Sequence, residues 1–134
     1  MTNNQLIDLA IKASKNAYAP YSKFKVGAAV LLKNGEIITG ANIENCSFGL
    51  TNCAERSALF YTYSQGFRKE EILKIAVITD TEMAASPCGA CRQVMSELLN
   101  SDCPIILSNK SKSDIKETTT EELLPYSFTP KELG

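Results

Sequence analysis

Cys53-Ala54-Glu55 and, further along, Pro87-Cys88-Gly89-Ala90-Cys91 are the residues of this 134-residue chain whose types and spacing point to chemistry. Cys88 and Cys91 are three apart, so on a helix their sulfurs share a face and can chelate one ion. Cys53 can join them if two helix N-termini open at the same sheet edge. Three thiolates then make a tetrahedral zinc site without a fourth protein ligand, the arrangement that leaves a position for water. Helix N-termini offer positive dipole ends to the negative sulfurs, and Arg56, close to Cys53, offers guanidinium donors. Within a helix Glu55 would not share a face with Cys53, because neighbours two apart point away from one another. The two converge only at a site beyond the helix end. Placed there, a carboxylate can take a proton from a metal-activated water and deliver it elsewhere.

The remaining composition narrows the chemistry. There is no histidine, which excludes Ser-His-Asp and Cys-His nucleophile pairs and histidine-ligated metal sites. Catalysis must run on carboxylates, cysteines, lysines or a metal. Fourteen basic against fifteen acidic residues leave a formal charge of −1, with no electrostatic footprint for nucleic acid or an acidic membrane. A small ligand of modest charge suits that balance. Met1 to Gln5 lacks the basic region and apolar core of a leader, and no apolar run approaches the ~20 residues of a membrane span. The cytoplasm is the expected compartment. Thiols stay reduced there, so five cysteines including a C-x-x-C pair point to metal or redox chemistry before a disulfide framework.

These residues need elements to hold them. Leu6, Leu9, Ala10, Ala13 and Ala17 recur at helical spacing and predict a helix from Leu6 to Ala17, ending before Pro20. Val26 to Leu32 and Glu36 to Ala41 read as strands. Asn34-Gly35 between them predicts a tight antiparallel hairpin with positive φ at both central residues. A second helix is expected from near Cys53 to Gly66, a strand covered on both faces at Ile72 to Thr79, a third helix from about Pro87 to Leu99, and a buried strand at Pro104 to Leu107. Ser108 to Ser113 reads as a polar turn, with a weak strand near Ile115 and a short helix at Thr120 to Leu124 after it. No internal repeat or linker is evident. The alternation implies one domain over residues 1–134, a three-layer α/β/α sandwich with a mixed sheet of about five strands.

Other assignments compete for single residues. Asn52-x-x-Glu55 reads as a capping box, and Ser86-Pro87 as an N-cap followed by proline in the first turn. C-x-x-C alone also suits a redox dithiol or half of a structural zinc site. Phe24 alone would be core, Arg56 alone a solvated helix residue, and Asn42 and Glu44 the polar flank of a strand with Ile43 inward. Cys103 reads as a buried small hydrophobe. Cys46 is near enough in sequence to Cys53 to be considered as a fourth thiolate, which would make a non-catalytic zinc module. Together the motifs say more: a cysteine with glutamate two residues on, then P-C-x-x-C, each opening a helix, matches the zinc-deaminase signature with cysteine in place of its histidine.

At this point the sequence closely resembles the small, homotetrameric cytidine deaminases. The resemblance runs through Tyr21-Ser22-Lys23-Phe24, Val26-Gly27-Ala28-Ala29, Gly40-Ala41-Asn42-Ile43-Glu44-Asn45, Cys53-Ala54-Glu55-Arg56, Ser86-Pro87-Cys88-Gly89-Ala90-Cys91-Arg92-Gln93 and Leu123-Leu124-Pro125 with Phe128. It implies one zinc ion on Cys53, Cys88 and Cys91, and Glu55 as proton shuttle in the hydrolysis of cytidine and 2′-deoxycytidine to uridine and 2′-deoxyuridine, a step of pyrimidine salvage. It further implies that Asn42 and Glu44 grip the ribose 3′-hydroxyl and that Phe24 walls the pyrimidine. The Ala54 N–H would donate to O2, and the Ser86 carbonyl would accept from the substrate amine. Arg56 would support the thiolates. Phe128 and the Cys46 to Phe48 segment would reach the active sites of neighbouring subunits. At position 48 the family often has tyrosine, so Phe48 brings no hydroxyl to the 5′ end of the nucleoside. A deaminase of aminonucleoside antibiotics, of the blasticidin type, shares the three cysteines; Asn42-x-Glu44 and the Tyr21 to Phe24 run favour plain nucleosides.

Overall fold

The structure, a computed structural model, describes residues 1–133. Its first helix, α1 (Asn3–Ser14), starts earlier than apolar spacing predicts because Thr2 and Gln5 form a reciprocal capping box. That box satisfies two donors a helix start leaves open. The helix also stops short of Ala17: Tyr18 bridges to Ile43 instead, giving its N–H to the Asn42 carbonyl.

Strands β1 (Val26–Leu32) and β2 (Ile37–Ala41) pair antiparallel as their patterning predicts. The turn between them is not the expected one. Of its residues only Gly35 has positive φ, at 87°, and the Gly35 N–H donates to the Leu32 carbonyl. Three residues, Lys33 to Gly35, therefore make the connection, with glycine alone in the left-handed region. Asn34 uses its side chain instead, accepting the Glu36 N–H.

Helix α2 (Ala54–Ser64) ends in a Schellman arrangement, with Gly66 at φ 96° and the Phe67 N–H donating back to the Thr62 carbonyl. Then come β3 (Ile72–Thr79), α3 (Gly89–Leu98), β4 (Pro104–Asn109), β5 (Ile115–Thr119) and the single turn α4 (Thr120–Leu123). The sheet order is β2-β1-β3-β4-β5, and only β3 and β4 run parallel, joined over α3. This is the mixed five-stranded α/β sandwich that the sequence predicts.

Period-two alternation assigns side chains to the two faces. Ala29 and Leu31 of β1 with Ala76 and Ile78 of β3 meet Leu6, Ile7 and Ala10 of α1. Ala28, Val30, Ile75 and Val77 meet Ala58 and Leu59 of α2 and Met95 of α3 on the other face. Two glycines set how closely the helices approach. A Cβ on Gly27 would fall 1.9 Å from the Ala10 carbonyl oxygen of α1, and one on Gly40 would fall 2.5 Å from the Ala58 nitrogen of α2. Gly40 thereby fixes the height of α2 above the sheet, and with it everything at the N-terminus of α2.

Candidate active site

Past β2 the chain stays extended through Asn42 to Glu44, bonded on one side to Tyr18 and on the other to Asn52. The Ile43–Asn52 pairing delivers the chain to Cys53, which is the N-cap of α2. Cys88 is likewise the N-cap of α3, and unlike Cys53 its sulfur accepts a helix N–H, that of Cys91 at 3.5 Å. Both expected caps are thus displaced. The Asn52 amide bonds the Ser57 hydroxyl and α2 has no side-chain cap, so Glu55 is in no capping box. Ser86 and Pro87 lie before the α3 cap. Placing the cysteines at the caps, outside the helical turns, is what lets Cys53 and Glu55 face one site.

The Sγ atoms of Cys53, Cys88 and Cys91 lie within 4.8 Å of one another, the sole such group of metal-binding side chains among the described residues. Cys46 is exposed beside Asn45, and Cys103 is buried near the Leu73 carbonyl, its thiol pushed up to about 11 by that burial. Neither joins the cluster, so no fourth thiolate closes it. Arg56 donates from Nη2 to Cys53 Sγ at 3.1 Å and is half-buried, not the solvated residue its position alone suggests. Contact with Cys91 and then with Arg56 brings the Cys53 thiol down to about 5 against opposing burial, and the contact between the two cysteines pushes the Cys91 thiol up. Three convergent sulfurs, two helix N-termini and one guanidinium fit a zinc ion.

Glu55 is 5 % exposed, and burial raises its carboxyl above the usual range. It opens into a cavity of about 210 Å³ shared with Phe24, Asn42, Cys53, Ala54, Ser86 and Cys88. That is smaller than the roughly 300–1,000 Å³ sites of drug-sized ligands and suits one planar ring with part of a sugar. Val26 from β1 and Val77 and Thr79 from β3 supply the sheet side, as expected for a crevice at the carboxyl end of a parallel strand. Sequence spacing assigns neither these three nor Thr51 and Ala85 to a site, while Asn52 and Pro87 read there as helix-start residues, Pro87 also as the first residue of P-C-x-x-C. Only the Thr79–Val26 register brings the two strand ends together.

Asn42 and Glu44 reverse the expected strand polarity: they are 8 % and 6 % exposed, while Ile43 is 47 % exposed. Buried polar side chains need partners, and both find them in the loop carrying Phe24. Asn42 accepts the Val26 N–H at 2.9 Å and donates to the Phe24 carbonyl at 2.7 Å. Glu44 accepts the Tyr21 and Ser22 N–H groups and the Ser22 hydroxyl, which lowers its carboxyl pKa. The loop turns through Lys23 at φ 62°, a left-handed conformation these bonds hold in place. Asn42 reaches the cavity; Glu44 is not among its lining residues. Phe24 is 40 % exposed at the rim, not core. Phe128 is exposed, away from the cavity lining, with its carbonyl held by Gln93.

Three comparisons agree with this arrangement. The family model for the cytidine and deoxycytidylate deaminase zinc-binding region matches residues 1–106. A cytidine deaminase of Halalkalibacterium halodurans is 53 % identical over the whole chain and 99 % of its own length, and one from Sporosarcina psychrophila is 50 % identical over the whole chain and 96 % of its own. The crystal structure of a cytidine deaminase from Burkholderia pseudomallei superposes with a TM-score of 0.92 at 47 % identity, covering 96 % of this chain and all of that one.

Proposed function

The chain belongs to the cytidine and deoxycytidylate deaminase family, and from that premise we propose that it hydrolyses cytidine and 2′-deoxycytidine to uridine and 2′-deoxyuridine with release of ammonia, a step of pyrimidine salvage. The observation that carries the reading is the convergence of Cys53, Cys88 and Cys91 with a buried Glu55 on one ring-sized cavity. One zinc per chain on those sulfurs supplies, when bound, the Lewis acidity that lowers the pKa of water.

Glu55 moves the protons. Its raised pKa suits a group that takes a proton from water and releases it again. The oxygen of water adds to C4 as Glu55 protonates N3. The second proton of that water passes through Glu55 to the amine, which departs as ammonia, and C4 is left as the carbonyl. Phe24 stacks against the ring, the Ala54 N–H donates to O2, and the Ser86 carbonyl accepts from the amine. Asn42 and Glu44 hold the 3′-hydroxyl with the capacity their loop bonds leave over, so a free base binds poorly.

Phe48, Phe60 and Phe128 stay exposed on one chain, apolar area of the kind a subunit contact covers. Family likeness supports a homotetramer in which Phe128 and the Cys46 to Phe48 segment would complete neighbouring sites. Residues 1–134 act as one domain. Five free thiols suit the cytoplasm. No described helix is long and apolar enough to cross a membrane, and the near-neutral charge favours a nucleoside over a nucleic acid. The test is loss of the cytidine absorbance band with purified protein, measured alongside zinc content before and after chelation. Zinc-loaded protein that leaves cytidine unchanged overturns the proposal.

A further inference from the structure

Between β3 and α3 the chain crosses from Asp80 to Cys88 without regular structure and supplies Ala85, Ser86, Pro87 and Cys88 to the cavity. A connection of this kind drifts unless its backbone groups are tied down. The ties come from the next strand over, from the β4–β5 turn at the same end of the sheet. Asn109, wholly buried, donates from Nδ2 to the Glu82 carbonyl and to the Ser113 hydroxyl, both within 2.8 Å, while its Oδ1 accepts the Asp114 N–H at 3.1 Å. Its polar atoms are committed on both sides of the gap. Asp114, so placed, accepts the Ala84 N–H on Oδ2 at 2.8 Å. Ala84 itself packs against the core and is one residue from the cavity lining. Lys116 pairs with the same Asp114 oxygen at 3.5 Å, a long contact exposed on the lysine side, which contributes little.

We propose that Asp114 is a positioning residue for deamination: through the Ala84 N–H, and with Asn109 as its support, it fixes the Ala85–Ser86 backbone at the height the substrate amine requires. Asp114 contacts neither the cavity nor the cysteines and acts only through the backbone it holds. The role assigned to Ser86 rests on the function proposed above; the tether itself does not. Misplacing a group that orients a reacting atom by a fraction of an ångström costs rate more than fold.

Asp114→Ala removes the acceptor, whereas Asp114→Asn keeps an oxygen for Ala84 while cancelling the charge facing Lys116. In zinc-loaded protein, Asp114→Ala is expected to speed amide exchange over residues 84–86 about tenfold or more, with Asp114→Asn close to wild type. In cytidine turnover, kcat is expected to fall about tenfold in Asp114→Ala and to recover in Asp114→Asn, with KM, zinc content and Tm little changed. Unchanged exchange over residues 84–86 in Asp114→Ala overturns the tether. Equal losses of kcat in both variants, or a Tm loss that accounts for the activity loss, overturns the positioning role. If wild type fails to deaminate cytidine, the functional reading fails first, and the exchange measurement still decides the tether.

Discussion

Arg56, in the first turn of α2, lies three residues after Cys53 at the N-cap, with the guanidinium Nη2 donating to the cap sulfur at 3.1 Å. This contact answers the electrostatic problem of a histidine-free ligand set. A third thiolate makes zinc more electron-rich and a weaker activator of water unless a positive group draws charge from the sulfurs. On the proposed ligand set, two helix N-termini would supply part of that and Arg56 the rest.

Arg56→Ala is therefore expected to weaken zinc retention by about 10–100-fold, the usual cost of losing a partner of a metal ligand. Arg56→Lys should fall between, since an ammonium restores charge without the planar fork. Competition with a chromophoric chelator measures both.

Gly40 is constrained by contact and not by φ. A methyl group there meets the Ala58 nitrogen at 2.5 Å and the Ala54 carbonyl oxygen at 2.8 Å, both backbone atoms that cannot swing aside. Gly40→Ala is expected to cost about 1–3 kcal/mol, read as a lower Tm, and to reduce zinc retention as α2 lifts. Gly49→Ala, with nothing within 4 Å of the added carbon, is the control and should stay within about 0.5 kcal/mol of wild type.

Glu44 should govern part of the acid response. Its carboxyl lies below the ordinary 4.5, chiefly through the Ser22 hydroxyl, with the Ser22 and Tyr21 N–H groups adding and burial opposing. A folded pKa below the unfolded one gives stability that is complete above the unfolded value and is lost as pH falls through the folded value. Thermal unfolding followed from pH 6 downward should then show a steeper acid limb, below about 4.5, in wild type than in Glu44→Gln. Parallel limbs would remove Glu44 from that account.

What could be read from sequence depended on range. Ile72 to Thr79 is a strand with the expected ends because a nearly continuous apolar run rich in β-branched residues is a local signal. The three cysteines converge as their types and order imply. The caps moved because Asn52 found Ser57 and left the capping position to Cys53, a competition between two local bonds that composition does not rank. At Asn34 the pattern was right and the turn wrong: an Asn side chain can satisfy the bend without taking positive φ. Asn42, Glu44, Asn109 and Asp114 were beyond reach as clamps. Their bonds span long separations, 18 residues for Asn42 to Phe24 and 30 for Asp114 to Ala84, and no periodicity encodes them.

Glu55 carries the central claim, and Glu55→Gln is its most direct measurement. Glutamine fills the same space, keeps hydrogen-bonding capacity and cannot relay a proton. Zinc content should remain that of wild type while the rate of cytidine absorbance loss falls by at least about 10²–10⁴-fold, the range of general acid–base catalysis. A zinc-loaded Glu55→Gln protein that deaminates cytidine at a rate near wild type would contradict the account.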